Sequence, residues 1–345
     1  MPRQILCIAA LTLLWVSGLM AQDPIFSQFY STPLVINPAF SGTTYAPRIS
    51  ATYRNQWPTF ADNSTTVYST YAASYEQFVP ALNSGIGILV LADDSGGGLI
   101  KTTNFSASYA YRIVVNDDFM LKLGVQAGFK QSSVDWDRLV FLDQLDRVTG
   151  EFDQFGNPNP TNEIRPDNLS RTIFDVGAGI LAYSSTFYGG LALHHLTTPD
   201  EGFANANASL ADGLPLRVTL HGGAQFIVKE GNKRKPASFI SPNILLLNQG
   251  DMGQINLGAY YSLGLVFGGG WYRHAFGNPD AVIGMVGFQY DILKIGYSYD
   301  FTVSGLTSST GGSHEISLVI NFDNSEKMQR KRFADRYNDC FKIFR

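Results

Sequence analysis

The chain has 345 residues, with 25 Lys+Arg against 29 Asp+Glu, and its net charge of −4 offers no footprint for nucleic acid. Charged residues are only 16% while aromatics reach 13% and glycines number 34, whereas a soluble domain usually carries roughly 25% charged residues. The two cysteines, Cys7 and Cys340, exclude a small disulfide scaffold.

The first stretch, MPRQILCIAALTLLWVSGLMAQ, has a positive residue, Arg3, then an apolar run from Ile5 to Val16. About 12 apolar residues are too few for a helix that needs roughly 20 to cross a bilayer. The expectation is a secretory signal peptide over 1–21, cut after Ala21, with Leu19 larger than the usual small residue two before the cut. Cys7 lies too early in that run for lipidation, and its removal would leave Cys340 as the one thiol. Residues 22–46 are rich in Pro, Asn and aromatics, and are read as an N-terminal periplasmic or plug-like segment. Phe26, Phe29 and Tyr30 are too apolar to stay in water, so they are expected to pack in a barrel mouth or on a partner.

From residue 47 the pattern changes. FMLKLGVQAGFK (119–130) separates into Phe119, Leu121, Leu123, Val125, Ala127, Phe129 on one face and Met120, Lys122, Gly124, Gln126, Gly128, Lys130 on the other. This period of two is that of a strand. It recurs at 48–57, 66–78, 85–92, 100–114, 118–130, 171–183, 186–195, 215–229, 237–247, 252–261, 264–273, 281–290, 292–301 and 313–322, fourteen candidate strands. Pro242 removes one ladder donor, and the eleventh run is only loosely periodic. Links alternate in length. On one side they are short (VPALNS, VNDD, SS, KEGNKRKP, SL, Asp291); on the other they are longer (58–65, 93–99, 131–170, 196–214, 274–280, 302–312), with 248–251 the exception.

Short turns on one rim and long loops on the other are the pattern of an outer-membrane barrel. A strand from Phe119 to Phe129 covers about 33 Å, and tilted by about 45° it spans about 23 Å, near the apolar band of a membrane barrel. A soluble sandwich would leave Gly124, Gly128, Gly177, Gly179, Gly223, Gly268 and Gly270 facing water, which weakens strands without a packing gain. In a barrel they would face a confined lumen. The fold class expected is all-β, an antiparallel transmembrane outer-membrane β-barrel of about 14 strands over 47–323, with a long extracellular loop at 131–170 and a basic periplasmic tail at 324–345.

Chemical motifs are sparse. His194 and His195, adjacent on a strand, would point to opposite faces and not share a metal; His221, His274 and His314 are scattered. Gly96–Gly98 and Gly268–Gly270 lack the Lys-Ser/Thr of a phosphate loop. Asp135, Asp137, Asp143, Asp146 and Asp153 lack calcium-loop spacing and read as solvated charge. No catalytic, cofactor or metal set is assigned. Inward-facing Arg54, Lys122, Lys130, Arg217, His221, Lys294, Asp300 and Glu315 are expected to form a polar network that stiffens the barrel; Arg54, Arg217, His221, Asp300 and Glu315 are its core candidates.

Several segments carry a family resemblance: Asp23-Pro24-Ile25-Phe26-Ser27-Gln28-Phe29-Tyr30, Asn37-Pro38-Ala39-Phe40-Ser41-Gly42 and Tyr53-Arg54-Asn55-Gln56-Trp57, then His195-Leu196-Thr197 with Pro199. They continue with Leu214-Pro215-Leu216-Arg217, His221-Gly222-Gly223, Trp271-Tyr272-Arg273, Gly296-Tyr297-Ser298-Tyr299-Asp300 and His314-Glu315-Ile316. In this order they resemble the PorP/SprF family of Bacteroidetes outer-membrane proteins. The resemblance implies a non-enzymatic barrel, without cofactors, in outer-membrane lipid. It would serve the type IX secretion system and gliding motility, meeting periplasmic ring and trans-envelope components and exported cargo with C-terminal sorting domains. Asp23, Pro24, Phe26, Gln28, Phe29, Tyr30, Asn37 and Pro38 are then candidates for a partner-binding or plug motif. On this view the N-terminal segment and tail face periplasmic partners and the long loops face cargo. A second expectation is a channel for apolar small molecules, resembling fatty-acid transport barrels, with 22–46 plugging the lumen.

Overall fold

The computed structural model describes residues 23–60, 67–200, 213–230, 237–304 and 311–325. The expected signal peptide at 1–21, the tail from 326 and Cys340 lie outside the described residues. The segments that form strands are β1 (Arg48–Gln56), β2 (Tyr68–Val79), β3 (Ser84–Ser95), β4 (Ile100–Val114) and β5 (Phe119–Val134). They are followed by β6 (Ser170–Ser184), β7 (Phe187–His194), β8 (Arg217–Ala224), β9 (Phe226–Lys229) and β10 (Ser238–Gln249). The last are β11 (Met252–Ser262), β12 (Val266–Ala275), β13 (Asn278–Tyr290), β14 (Leu293–Thr302) and β15 (Ser313–Asn321).

Each strand pairs antiparallel with its neighbours, and β1 pairs with both β2 and β15, so the sheet closes. β8 and β9 both lie along β10 and form a single crossing broken at Gln225, so the closed barrel has fourteen crossings. Closure leaves no sheet edge, which a wall facing hydrocarbon requires because lipid cannot satisfy backbone N–H and C=O groups. No helix among the described residues is long and apolar enough to cross a membrane, a statement that does not bear on strands.

The alternation in β5 translates directly into two environments. Phe119, Leu123, Val125 and Phe129 are exposed on the outer face, while Met120, Lys122 and Lys130 are buried inside. Outside, Phe129 packs on Phe174 of β6 at 5.5 Å between ring centres. The barrel is therefore apolar where it is open and charged where it is closed, the reverse of a soluble protein.

Three details differ from the sequence reading. The strands run further than expected on the long-loop rim, so the supposed long links 93–99 and 274–280 contract to short hairpins at 96–99 and 276–277. Periodicity alone does not mark where pairing stops. Gly268 and Gly270 face outward and Gly269 inward, because Trp271 turns its ring into the barrel, where a Cβ on Gly258 or Gly269 would collide with it. The lumen is also not uniformly polar, since Tyr188, Tyr260, Phe267, Trp271, Ile283 and Met285 belong to an internal apolar core.

What fills that lumen is the chain's own beginning. Residues 23–46 pass through the barrel before β1 starts. A short helix α1 (Pro33–Ile36) begins with proline at its first position, where no N–H is needed. A 3₁₀ turn at Pro38–Phe40 follows, with the Asn37 side chain accepting from Ala39 N at 2.8 Å. Glycines in the wall make room for it: a Cβ at Gly124 would collide with Ala39, and one at Gly85 with Ser41.

Candidate functional site

The plug and the wall around it form a buried polar assembly. At its leading end, Asp23 accepts from Arg217 Nη1 at 2.8 Å, from His195 Nε2 at 2.6 Å and from Lys130 Nζ at 3.4 Å. Three basic side chains thus converge on this one carboxylate. His195 Nδ1 also donates to Asp175 Oδ2 at 3.0 Å. The imidazole thus bridges two carboxylates, Asp23 of the plug and Asp175 of β6. Arg217 Nη2 reaches Val35 O at 2.8 Å, so one guanidinium grips the plug at both Asp23 and α1.

Deeper in, Glu315 Oε2 and Oε1 accept from the backbone N–H groups of Ser27 and Gln28, each at 2.8 Å. Arg54 donates to Ser27 Oγ at 2.8 Å, to Glu315 Oε2 at 3.2 Å and to Asp300 Oδ2 at 2.9 Å. Arg273 also reaches Asp300 Oδ2 at 2.9 Å and pairs with Asp280. Gln28 is fully buried: its amide donates to Glu315 O at 2.8 Å and accepts from Tyr30 OH at 2.8 Å and Ser317 Oγ at 2.6 Å. Two carboxylates and two guanidiniums thus share one buried site in which opposite charges pair and the plug's Ser27 and Gln28 add hydrogen bonds, the pairing that buried charge requires.

The apolar half of the plug is equally engaged. Phe29 meets Trp271 edge-on at 6.2 Å and Tyr30 meets Tyr260 at 5.1 Å. Lys294 Nζ sits 4.4 Å from the Tyr30 ring centre, a cation–π contact. Asn37 donates to the carbonyls of Ile180 at 3.1 Å and Leu191 at 3.3 Å, and its amide lies 2.9 Å from His221 Nε2. Phe40 stacks on the same imidazole at 5.0 Å. Lys122 donates to Ser41 O, and Arg48 bridges Glu76 at 3.0 Å and Tyr30 O at 3.0 Å. At the exit, Asp323 accepts from the N–H groups of Tyr45 and Ala46.

The structure places every sequence-derived candidate here. Asp23, Gln28, Tyr30 and Asn37 make polar contacts to the wall; Phe26 and Phe29 are buried; Pro24 borders a cavity of about 320 Å³ with Asp93, Asp175 and His195; Pro38 abuts Gly124. Arg54, Asp300 and Glu315 form one cluster, while Arg217 and His221 serve separate points of the plug. One expectation is corrected. His194 and His195 both turn inward, because β7 ends at His194 and His195 takes a left-handed φ of 60°. The N-terminal segment is enclosed by the wall and starts beside Lys130, near the long-loop rim. Sequence reasoning passed over the Arg48–Glu76 pair, although Arg48 and Glu76 stand opposite each other on β1 and β2 at inward positions. No group of three potential metal ligands occurs among the described residues.

Among solved structures the chain resembles the TodX deltaS2S3 mutant monoaromatic hydrocarbon channel at 10% identity, over 84% of this chain and 94% of that one, with a TM-score of 0.48. It resembles the CymD monoaromatic hydrocarbon channel at 12% identity, over 88% and 94%, with a TM-score of 0.44. A Pseudomonas aeruginosa FadL homologue matches at 11% identity, over 80% and 90%, with a TM-score of 0.38. No curated protein matches in sequence. The family described as type IX secretion system membrane protein PorP/SprF matches residues 19–320, a span that includes the whole plug and all of the barrel except the last residue of β15. The chain belongs to the PorP/SprF family of type IX secretion system membrane proteins.

Proposed function

We propose that this chain is a non-enzymatic outer-membrane barrel that supports export or surface attachment of proteins with C-terminal sorting domains. Family membership carries the link to type IX secretion. The observation that favours support over conduction is the filled lumen, where residues 23–46 are held by Glu315 of β15, which accepts from the Ser27 and Gln28 N–H groups, and by the buried ion pairs of Asp23 with Arg217 and Lys130. A chain in transit would have to break those pairs and strand their charges, so cargo is handled at the rims and not through the middle. The short-turn rim is the side for ring and trans-envelope components, and outer-membrane lipid surrounds the apolar belt. A channel for apolar solutes suits the charged inner wall less well.

The test is deletion of the gene followed by assay of sorting-domain proteins on the cell surface. The expected outcome is loss or release of at least one such protein. Unchanged display of all of them rejects the reading.

A further inference from the structure

The loop between β5 and β6 is built to present apolar side chains to a partner. Its base is tied down: Asp135 N donates to Leu99 O at 2.8 Å and Arg138 Nη1 to Gly97 O at 2.8 Å. Its interior is cross-linked, with Asn159 Nδ2 donating to Gln144 O at 2.7 Å and Gln144 Nε2 to Asn159 O at 2.7 Å. Asp146 Oδ1 accepts from the N–H groups of Val148 at 2.7 Å and Thr149 at 3.0 Å, closing a turn with Val148 in it. Asp153 Oδ1 does the same for Phe155 at 2.8 Å and Asn157 at 2.9 Å. Those bonds from backbone N–H groups hold both aspartates below the usual carboxylate range.

Such turns ordinarily carry Gly, Asn or Asp. Here they carry Val148, 92% exposed, and Phe155, 80% exposed; Leu142 and Ile164 are 88% and 89% exposed. The loop lies beyond the strand ends, so lipid tails do not explain these side chains as they explain the belt. Residues 135–169 contain eight Asp or Glu against three Arg, which repels an anionic membrane surface and attracts a basic one.

We propose that this loop is a docking surface for an exported protein whose apolar clefts are rimmed by Lys and Arg, with Leu142, Val148, Phe155 and Ile164 as the inserted groups. The proposal rests on the function given above and names the surface and the partner's chemistry. The carboxylates set encounter and orientation, and the apolar tips hold the complex.

The experiment places a photo-crosslinking amino acid at Val148 or Phe155 in the full-length protein in cells and identifies the adducts by mass spectrometry. Adducts with a type IX-exported protein are expected. Adducts confined to lipid or lipopolysaccharide, or none from a correctly folded barrel, overturn the proposal. A second strain carries Leu142→Ser, Val148→Ser, Phe155→Ser and Ile164→Ser together, with folding checked by heat-modifiable gel mobility. Surface retention of the crosslinked protein is expected to fall by about tenfold, equivalent to about 1.4 kcal/mol. Glu151→Lys with Asp167→Lys, away from the turn-forming carboxylates, is expected to lower it by a smaller factor that vanishes at high salt. Full retention in the four-serine strain sinks this docking surface alone; normal display after deletion of the gene sinks the underlying function.

Discussion

Residues 23–46 and residues 135–169 both lack strands, and they dispose of their apolar side chains in opposite ways. In the plug, Phe29, Tyr30, Leu34 and Phe40 are buried, and its backbone N–H groups are met by carboxylates of the wall. In the loop, carboxylates are spent on the loop's own backbone, and Leu142, Val148, Phe155 and Ile164 are left in the open. Irregular backbone is thus stabilised in one case by its container and in the other by itself. The first belongs to the architecture of the barrel; the second is available to something else.

The largest effect that would break this contrast is expected at Arg54. Arg54→Ala removes the guanidinium paired with buried Glu315 and leaves Asp300 with Arg273 alone, and removing one partner of a buried pair costs about 3–5 kcal/mol. Urea denaturation in detergent should show that loss, with protease cutting within 23–40 at denaturant levels the parent resists; an unshifted midpoint would mean the cluster contributes little. Gly124→Val should come next. The added side chain meets the backbone of Pro38 and Ala39, an overpacking that costs about 1–3 kcal/mol. Its readout is the same denaturation midpoint with the barrel's strand content retained by circular dichroism. Arg165→Ala removes an exposed pair with Asp137 at 2.9 Å and should change the midpoint by less than about 1 kcal/mol. A drop like that of Arg54→Ala would show that the loop, too, depends on the barrel.

The smallest effect concerns pH. Asp146 and Asp153 titrate below their unfolded values, so their contribution to the loop is complete above the ordinary carboxylate range and is lost as pH falls through the folded values. Amide exchange at Val148 and Asn157, corrected for its intrinsic pH dependence, should remain slowed at a pH where a free aspartate is half protonated. Full exposure of those amides there would contradict the turn assignment.

The strands were legible because hydrocarbon outside and a confined lumen inside impose different demands on alternate residues, as Phe129 and Lys130 show. That logic failed at β12, where three successive glycines carry no face and only the Trp271 ring decides which way is in. It failed again at His195, whose left-handed backbone ends the alternation. Arg54, Asp300 and Glu315 could be chosen as inward-facing charges, but their meeting at Ser27 joins residues up to 288 positions apart, and no local pattern records it. The aromatics of the plug signalled a need for burial without naming Trp271 or Tyr260 as the surfaces that supply it.

A sheet becomes a ring only at the joint between its first and last strands, and in this chain Arg54 of β1 stands opposite Glu315 of β15 at that joint. Ser27 and Gln28 are hydrogen-bonded to both sides of it. The opening stretch of the polypeptide therefore works as a clasp on its own hoop. Withdrawing it would do more than empty a hole: it would unfasten the one place where the wall can come apart.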